Sequence, residues 1–391
     1  MINKAKEILF SNISLLIIVI GSLCSFAITL IWRNQLEDTF NLYTLIITFI
    51  SICVSFGFLG MDQVLVRISK FEDNKIFIGR NVFYMLIACG LLFSVVISFI
   101  FSYLYDLSFL HLFVISNSLN FILLGFNVLR LNYKFVEAQI VNNSHKFLLF
   151  IVLIYFINKE FGFHDILGLF TVSILTIGLI SLFSIRKLLV LSDKADNRFK
   201  SLWIAFLLNI GLLTFIGYGD RILIERLYGE DMMGKYFYYL TIFLFPLNLL
   251  QYYIGFKEVV RFKEGFTKNQ LHKKLFQVLL LGLLVVVMIL SVVFIDNNRF
   301  LHVDIRKDAL FILFLSILGV SKLIYGLFSA IIGAKGSSKE IFIINILSFI
   351  ILAIVFLLIL SIPGLSINYI IIFLVFTFLS RSAYIYTKLV L

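Results

Sequence analysis

Twelve times along this chain a stretch of about 20 residues runs apolar with scarcely a charge, and that recurrence limits what it can fold into. A helix needs about that length to cross a hydrocarbon core of about 30 Å, where every backbone amide must bond within its own segment. The runs lie at approximately 9–32, 40–60, 81–105, 108–129, 139–157, 165–185, 202–227, 232–254, 275–295, 309–332, 341–361 and 367–388. The fifth is the least apolar, because Asn142, Asn143, His145 and Lys146 interrupt its first half. The second is expected to continue past Gly57 and Gly60 as a broken helix, since GMDQVLVRI keeps an apolar face. Composition agrees: 61% of residues are hydrophobic and only 14% charged, against about a quarter charged in a soluble domain. The expected fold class is an all-α integral membrane protein with about 12 transmembrane helices.

Charge placement gives an expected orientation. The N-terminus, the even-numbered loops and the C-terminal end hold about 24 Lys and Arg, the odd loops about 8, which puts both termini in the cytoplasm. Trp32 then falls at the outer interface and Trp203 at the inner one. The net charge of +11 reflects basic cytoplasmic loops and gives no reason to expect nucleic acid. Lys4 and Lys6 precede an apolar stretch that runs to Trp32, too long for a signal-peptide core and without a small-x-small cleavage site, so it reads as an uncleaved first span. The longest polar loop, Gly255 to Lys274, is amphipathic and reads either as a surface helix for anionic head groups or as an orientation determinant.

An internal repeat divides the chain. LIWRNQLEDTFNLYTLIITF (30–49) aligns at constant offset with LIERLYGEDMMGKYFYYLTI (223–242), matching Arg33, Glu37, Asp38, Tyr43 and Thr48 to Arg226, Glu230, Asp231, Tyr236 and Thr241. Six spans separate the copies, so two six-helix bundles, 1–190 and 191–391, are expected to share an orientation about a pseudo-twofold along the membrane normal. Parallel repeats of this kind are a transporter architecture, with the substrate path expected between the bundles.

Catalytic and cofactor chemistry find no foothold. GAKGSSKE (333–340) lacks the order of a phosphate-wrapping loop, the five histidines make no ligand pair, and no nucleophile has a positioned base. Cys24, Cys53 and Cys89 all fall inside apolar runs and read as packing residues. No metal, cofactor or enzyme activity is expected.

Ionisable groups at membrane depth remain, and such groups usually face a cavity or a partner. Lys322 lies about 13 residues, or about 20 Å of rise, from each end of its helix, beyond the reach of snorkelling. GYGDRILIERLYG (217–229) ends the seventh run with Asp220, Arg221, Glu225 and Arg226. There Arg221 can pair with Glu225 four residues on, while Asp220 is turned about 100° away and is a candidate for ion coupling. Asp62, Arg67 and Arg130 line the cytoplasmic half, Asp62 as a second ion-coupling candidate, and Asn12 and Asn209 lie early in the first helix of each half. Each of these also has a structural reading: an end-of-helix cap, a local salt bridge or glue between helices.

RILIERLYGEDMMGKYFYYL, FGFLGMDQVLVRIS after the second span and NVLRLNYKFVEAQIVNNSHKFLLF at the start of the fifth resemble the polysaccharide-transporter (Wzx-type) flippases of the multidrug/oligosaccharidyl-lipid/polysaccharide superfamily. The likeness covers essentially the whole chain. It implies translocation of an undecaprenyl-pyrophosphate-linked oligosaccharide repeat unit, for O-antigen, capsule or a similar polysaccharide, across the bacterial inner membrane by alternating access. It implies membrane lipids, a coupling proton or cation, and polysaccharide polymerase or chain-length proteins as partners. Lys322, Arg221, Arg67, Arg130, Asn12 and Asn209 would then line the substrate cavity. An ion-coupled multidrug exporter, a membrane O-antigen polymerase or ligase, and a peptidoglycan-precursor flippase are the alternatives. Lys322 speaks against the exporter, and the short outer loops speak against the polymerase.

Overall fold

The computed structural model describes residues 2–156, 163–192, 199–362 and 366–389, with the side chain of Asn12 outside the described set. The molecule is built almost entirely from long helices. Among the described residues, ten helical stretches are long and apolar enough to cross a membrane by length and composition. The charge-interrupted Phe135–Phe156 and the 35-residue Glu230–Glu264 bring the rods to the expected twelve. The chain forms two compact units, Met1–Tyr218 and Gly219–Leu391.

In the first unit, α1 (Ile2–Gln35), α2 (Phe40–Phe56), α3 (Met61–Ile68), α4 (Arg80–Tyr105), α5 (Phe109–Leu131), α6 (Phe135–Phe156), α7 (Phe163–Ile185) and α8 (Phe199–Thr214) follow one another. The second run is broken as expected: Leu59 and Gly60 take positive φ values of 51° and 83°, and α3 resumes with Met61, Asp62, Val64 and Leu65 buried. Helix α5 is the hub, packing on α4, α6 and α7. Its approach to α7 depends on small residues, since a Cβ on Gly178 would lie 2.9 Å from the Ser118 carbonyl oxygen and one on Gly125 would collide with Ser181.

A three-stranded sheet departs from the all-helical expectation. Strand β1 (Lys70–Glu72) pairs antiparallel with β2 (Lys75–Gly79), and β2 pairs parallel with β3 (Leu189–Ser192). The hairpin turns through Asp73 and Asn74, both at positive φ, as a two-residue hairpin turn requires. Strands of three to five residues are too short to show a period in the sequence.

The tryptophans are both engaged with protein partners. Trp32 is 1% exposed, stacks on Tyr43 at 4.6 Å and donates its Nε1–H to Thr39 Oγ1. Trp203 Nε1 donates to the Leu59 carbonyl at 2.9 Å, fastening α8 to the break between α2 and α3. Both polar handles are spent inside the protein, where a buried ring finds its partner.

The seventh run is not one continuous α-helix. A π-helical turn, Phe215–Gly219, separates α8 from α9 (Asp220–Tyr228), and the division between the two units falls inside it. In the second unit α9 leads into α10 (Glu230–Glu264), α11 (Lys268–Asp296), α12 (Ile305–Lys335), α13 (Ser338–Ser361) and α14 (Ile367–Leu389). The polar segment 255–274, expected as a loop, belongs instead to two rods: α10 runs to Glu264, and α11 opens with a Thr267–Gln270 capping box. Buried Glu258 pairs with Lys274 across the turn at 2.8 Å, so part of this charge serves helix pairing. Helix α12 is the hub, packing on α10, α11 and α14. Asp304 caps it by accepting from the Lys307 and Arg306 amides, which hold its carboxyl below the usual carboxylate range.

Candidate functional site

In both aligned copies of the repeat the matched tyrosine reaches back to the preceding helix, on a different partner in each. Tyr43 is buried and its hydroxyl lies 2.8 Å from Thr29 Oγ1 on the preceding helix. Tyr236, its match, is also buried and reaches back to the preceding helix, but donates to Asp220 Oδ2 at 2.5 Å. Thr48 and Thr241 repeat the match, each hydroxyl donating to the carbonyl four residues earlier. A neutral hydroxyl suffices in the first unit, so the carboxylate in the second goes beyond what the architecture needs.

Around Asp220 the second unit collects charge. Its Oδ1 accepts from the Arg221 backbone amide at 2.9 Å, and the side chain is buried. Arg221 and Lys322 are the two cations acting on it electrostatically. The Arg221 guanidinium lies 4.9 Å from the Phe237 centroid, and the half-buried Lys322 ammonium 5.6 Å from that of Phe378. Three expected site residues, Asp220, Arg221 and Lys322, thus fall into one neighbourhood on α9 and α12.

The remaining candidates lie in the first unit. Asp62 on α3 is buried, accepts from Gln63 Nε2 at 3.0 Å and feels Arg130 of α5 electrostatically. Arg130 donates from Nη2 to Asn127 Oδ1 at 3.1 Å and stacks over Phe126. Arg67 is exposed, with its guanidinium 5.5 Å from the Phe206 centroid, and Asn209 is half-buried on α8. The side chain of Asn12 lies outside the described set.

Sequence reasoning passed over Arg381. It projects from α14 into the second unit, where Nη2 donates to Tyr325 Oη at 3.1 Å and to Asn345 Oδ1 at 3.3 Å. Its position near the basic C-terminal end of the last span disguised it as an orientation charge. Only its burial reveals it. Lys235 and Tyr239, which both bond Asp308 at the start of α12, were missed for a similar reason, since a helix end usually carries solvated charge.

Replacing Tyr236 by Phe deprives a buried carboxylate oxygen of its donor, a loss of about 1.5–3 kcal/mol for a bond to a charged group. Tyr43→Phe removes a neutral bond and is expected to lose about 1 kcal/mol. Thermal melts of the two purified variants should differ in that order, and equal losses would place no ionised carboxylate beneath Tyr236.

No family profile and no curated protein matches the sequence. Solved structures do match in fold. An outward-facing multidrug resistance MATE family transporter of the MOP superfamily aligns over 97% of this chain and 93% of its own, with a TM-score of 0.59 at 10% identity. A MATE protein crystallised in complex with MaL6 aligns over 96% and 93%, with a TM-score of 0.56 at 12% identity. The chain therefore shares the fold of the MATE-type transporters of the MOP superfamily.

Proposed function

We propose that the chain is a flippase that moves an anionic, lipid-linked oligosaccharide, an undecaprenyl-pyrophosphate-bound repeat unit, across the bacterial inner membrane. The observation that carries this reading is a set of three cations among the spans of the second unit, Arg381 buried and Arg221 and Lys322 half-buried. Arg221, Lys322 and Arg381 lie among the aromatic rings of Phe237, Phe378 and Tyr325, with Asp220 as the carboxylate that Arg221 and Lys322 act on. A diphosphate brings the opposite charge, and at about 4 Å and an effective dielectric constant of 20 each pair of unit charges attracts by about 4 kcal/mol. The aromatic rings offer stacking faces for sugars, while the polyprenyl tail stays in lipid.

On this reading the repeat halves 1–190 and 191–391 alternate access, both termini face the cytoplasm, and Asp220 or Asp62 holds the coupling proton or cation. The product reaches polymerase and chain-length proteins on the outer face. Buried Asp220 also favours a second reading, export of small cations by an ion-coupled multidrug transporter; the outward-facing protein of like fold is a multidrug resistance transporter.

The test is transport in proteoliposomes offered either a lipid-linked oligosaccharide diphosphate or a cationic dye. Uptake of the oligosaccharide should fall at least tenfold in Lys322→Ala while the variant keeps its melting temperature. Export of dye with no movement of oligosaccharide would replace the flippase by the exporter. Undiminished oligosaccharide transport by Lys322→Ala would remove this lysine from the site.

A further inference from the structure

Arg381 is 2% exposed, Asn345 3% and Tyr325 5%, so the three polar heads meet in the interior of the second unit. Arg381 stands eight residues, about 12 Å of rise, from the end of α14 at Leu389, and its head turns inward instead of snorkelling out. A guanidinium does not shed its proton in a protein, so the charge stays whatever surrounds it. Among the described residues no carboxylate pairs with it.

Donors here outnumber acceptors. Nη2 takes both acceptors the cluster provides, the Tyr325 hydroxyl and Asn345 Oδ1. Arg381 Nε and Nη1 and Asn345 Nδ2 are buried and find no partner among the described residues. The Asn345 amide cannot be reversed to help, because its NH2 would then face the guanidinium donors. What remains is a set of N–H groups with nothing to accept. Water would have to aim two hydrogens of its own at donors, and a cation would be repelled. An anion accepts along one edge of the guanidinium and balances the charge.

Size is set by enclosure. Phe378 closes one side, its ring 5.4 Å from that of Tyr325, and the ammonium of Lys322 lies 5.6 Å from the Phe378 centroid. A second positive charge thus adds to the potential one helical turn along α12. With all three polar residues almost fully covered, the partner must be an anion of one or a few atoms, far smaller than an oligosaccharide diphosphate.

We propose that Arg381, Asn345 and Tyr325 form a binding site for a small inorganic monoanion, chloride in the cell, that ties α12, α13 and α14 together inside the second unit. The site is separate from the transport reading of Lys322 and needs no lipid-linked substrate, so either can fail without the other.

The experiment uses the purified full-length chain in detergent, with sodium chloride exchanged for sodium gluconate at constant ionic strength. Radioactive chloride should bind saturably at one ion per chain, and the melting temperature should rise with chloride. Arg381→Met should weaken chloride binding at least tenfold. Asn345→Asp sets a carboxylate against the guanidinium, so it should abolish chloride binding and its effect on melting while the protein melts in gluconate at least as high as the wild type. That variant keeps the test decisive if Arg381→Met fails to fold. Absence of saturable binding to the wild type, or undiminished binding to Asn345→Asp, overturns the site.

Discussion

Replacing Asp220 by Asn lowers the melting temperature of the purified protein by about 10 °C, the equivalent of about 3–5 kcal/mol for one partner taken from a buried charge cluster. The side chain keeps its size, so the loss comes from charge and acceptors. Asp220 accepts from the Tyr236 hydroxyl and the Arg221 amide, and an Asn has one oxygen for those two donors. More is lost through Arg221 and Lys322, which act on the carboxylate from α9 and α12 and would lose its negative charge. Adding Lys322→Met to Asp220→Asn removes one of those cations, so the double variant should recover at least about 1 kcal/mol. Strict additivity of the two changes, or a single-variant loss under about 1 kcal/mol, would show that Asp220 is not the counter-charge of this cluster.

The twelve rods were legible because a membrane imposes one length and one composition on every helix, and a run of about 20 apolar residues has few other uses. The break at Gly57–Gly60 was legible for a similar local reason, two glycines followed by an amphipathic turn. What could not be read depended on partners distant in sequence. Leu189–Ser192 becomes a strand only because the hairpin 70–79 lies beside it. Trp32 is of a type that favours interfaces, and only the ring of Tyr43 and the hydroxyl of Thr39 show that it is enclosed. The polar segment 255–274 looked like a loop because its charges suggest solvent, whereas Glu258 and Lys274 meet across a turn of three residues.

Charged residues divide along the same line. Lys322 drew attention from its depth alone, and Asp220 from an otherwise apolar run. Arg381 lies in a span too, but close enough to its basic end to pass for a snorkelling residue. Its burial against Tyr325 and Asn345 joins residues 36 and 56 positions away, a relation no local pattern carries. The adjacent pair that opens α9 shows the same limit. Asp220 turns beneath Tyr236 while Arg221 stacks on Phe237, so two neighbouring charges point at neighbouring aromatics of the next helix.

Gly60→Val should damage the first unit about as severely as Asp220→Asn damages the second. Gly60 has a φ of 83°, where an L side chain loses about 1–2 kcal/mol and a β-branched one fits worst. Space is also closed: a Cβ there would lie 2.8 Å from the Leu207 amide nitrogen and 2.9 Å from the Phe206 carbonyl carbon. Both are backbone atoms of α8, so no side-chain rotation relieves the contact, and displacing a packed helix adds about 1–3 kcal/mol. The strain falls where Trp203 holds the Leu59 carbonyl and where α3 begins, so Asp62 would leave its place near Arg130 as α8 is pushed away. The summed loss of about 2–5 kcal/mol should appear as a melting temperature lowered by about 10 °C and as a smaller yield of monodisperse protein. Gly57→Ala separates the two causes, because Gly57 has an ordinary helical φ of −53° and any loss there comes from space alone, where a Cβ would collide with the buried Asn120 amide and lie 2.5 Å from the Cys53 carbonyl oxygen. If Gly60→Val melted with the wild type, α8 would not be seated against the break, and the placement of Asp62 beside Arg130 would lose its structural basis.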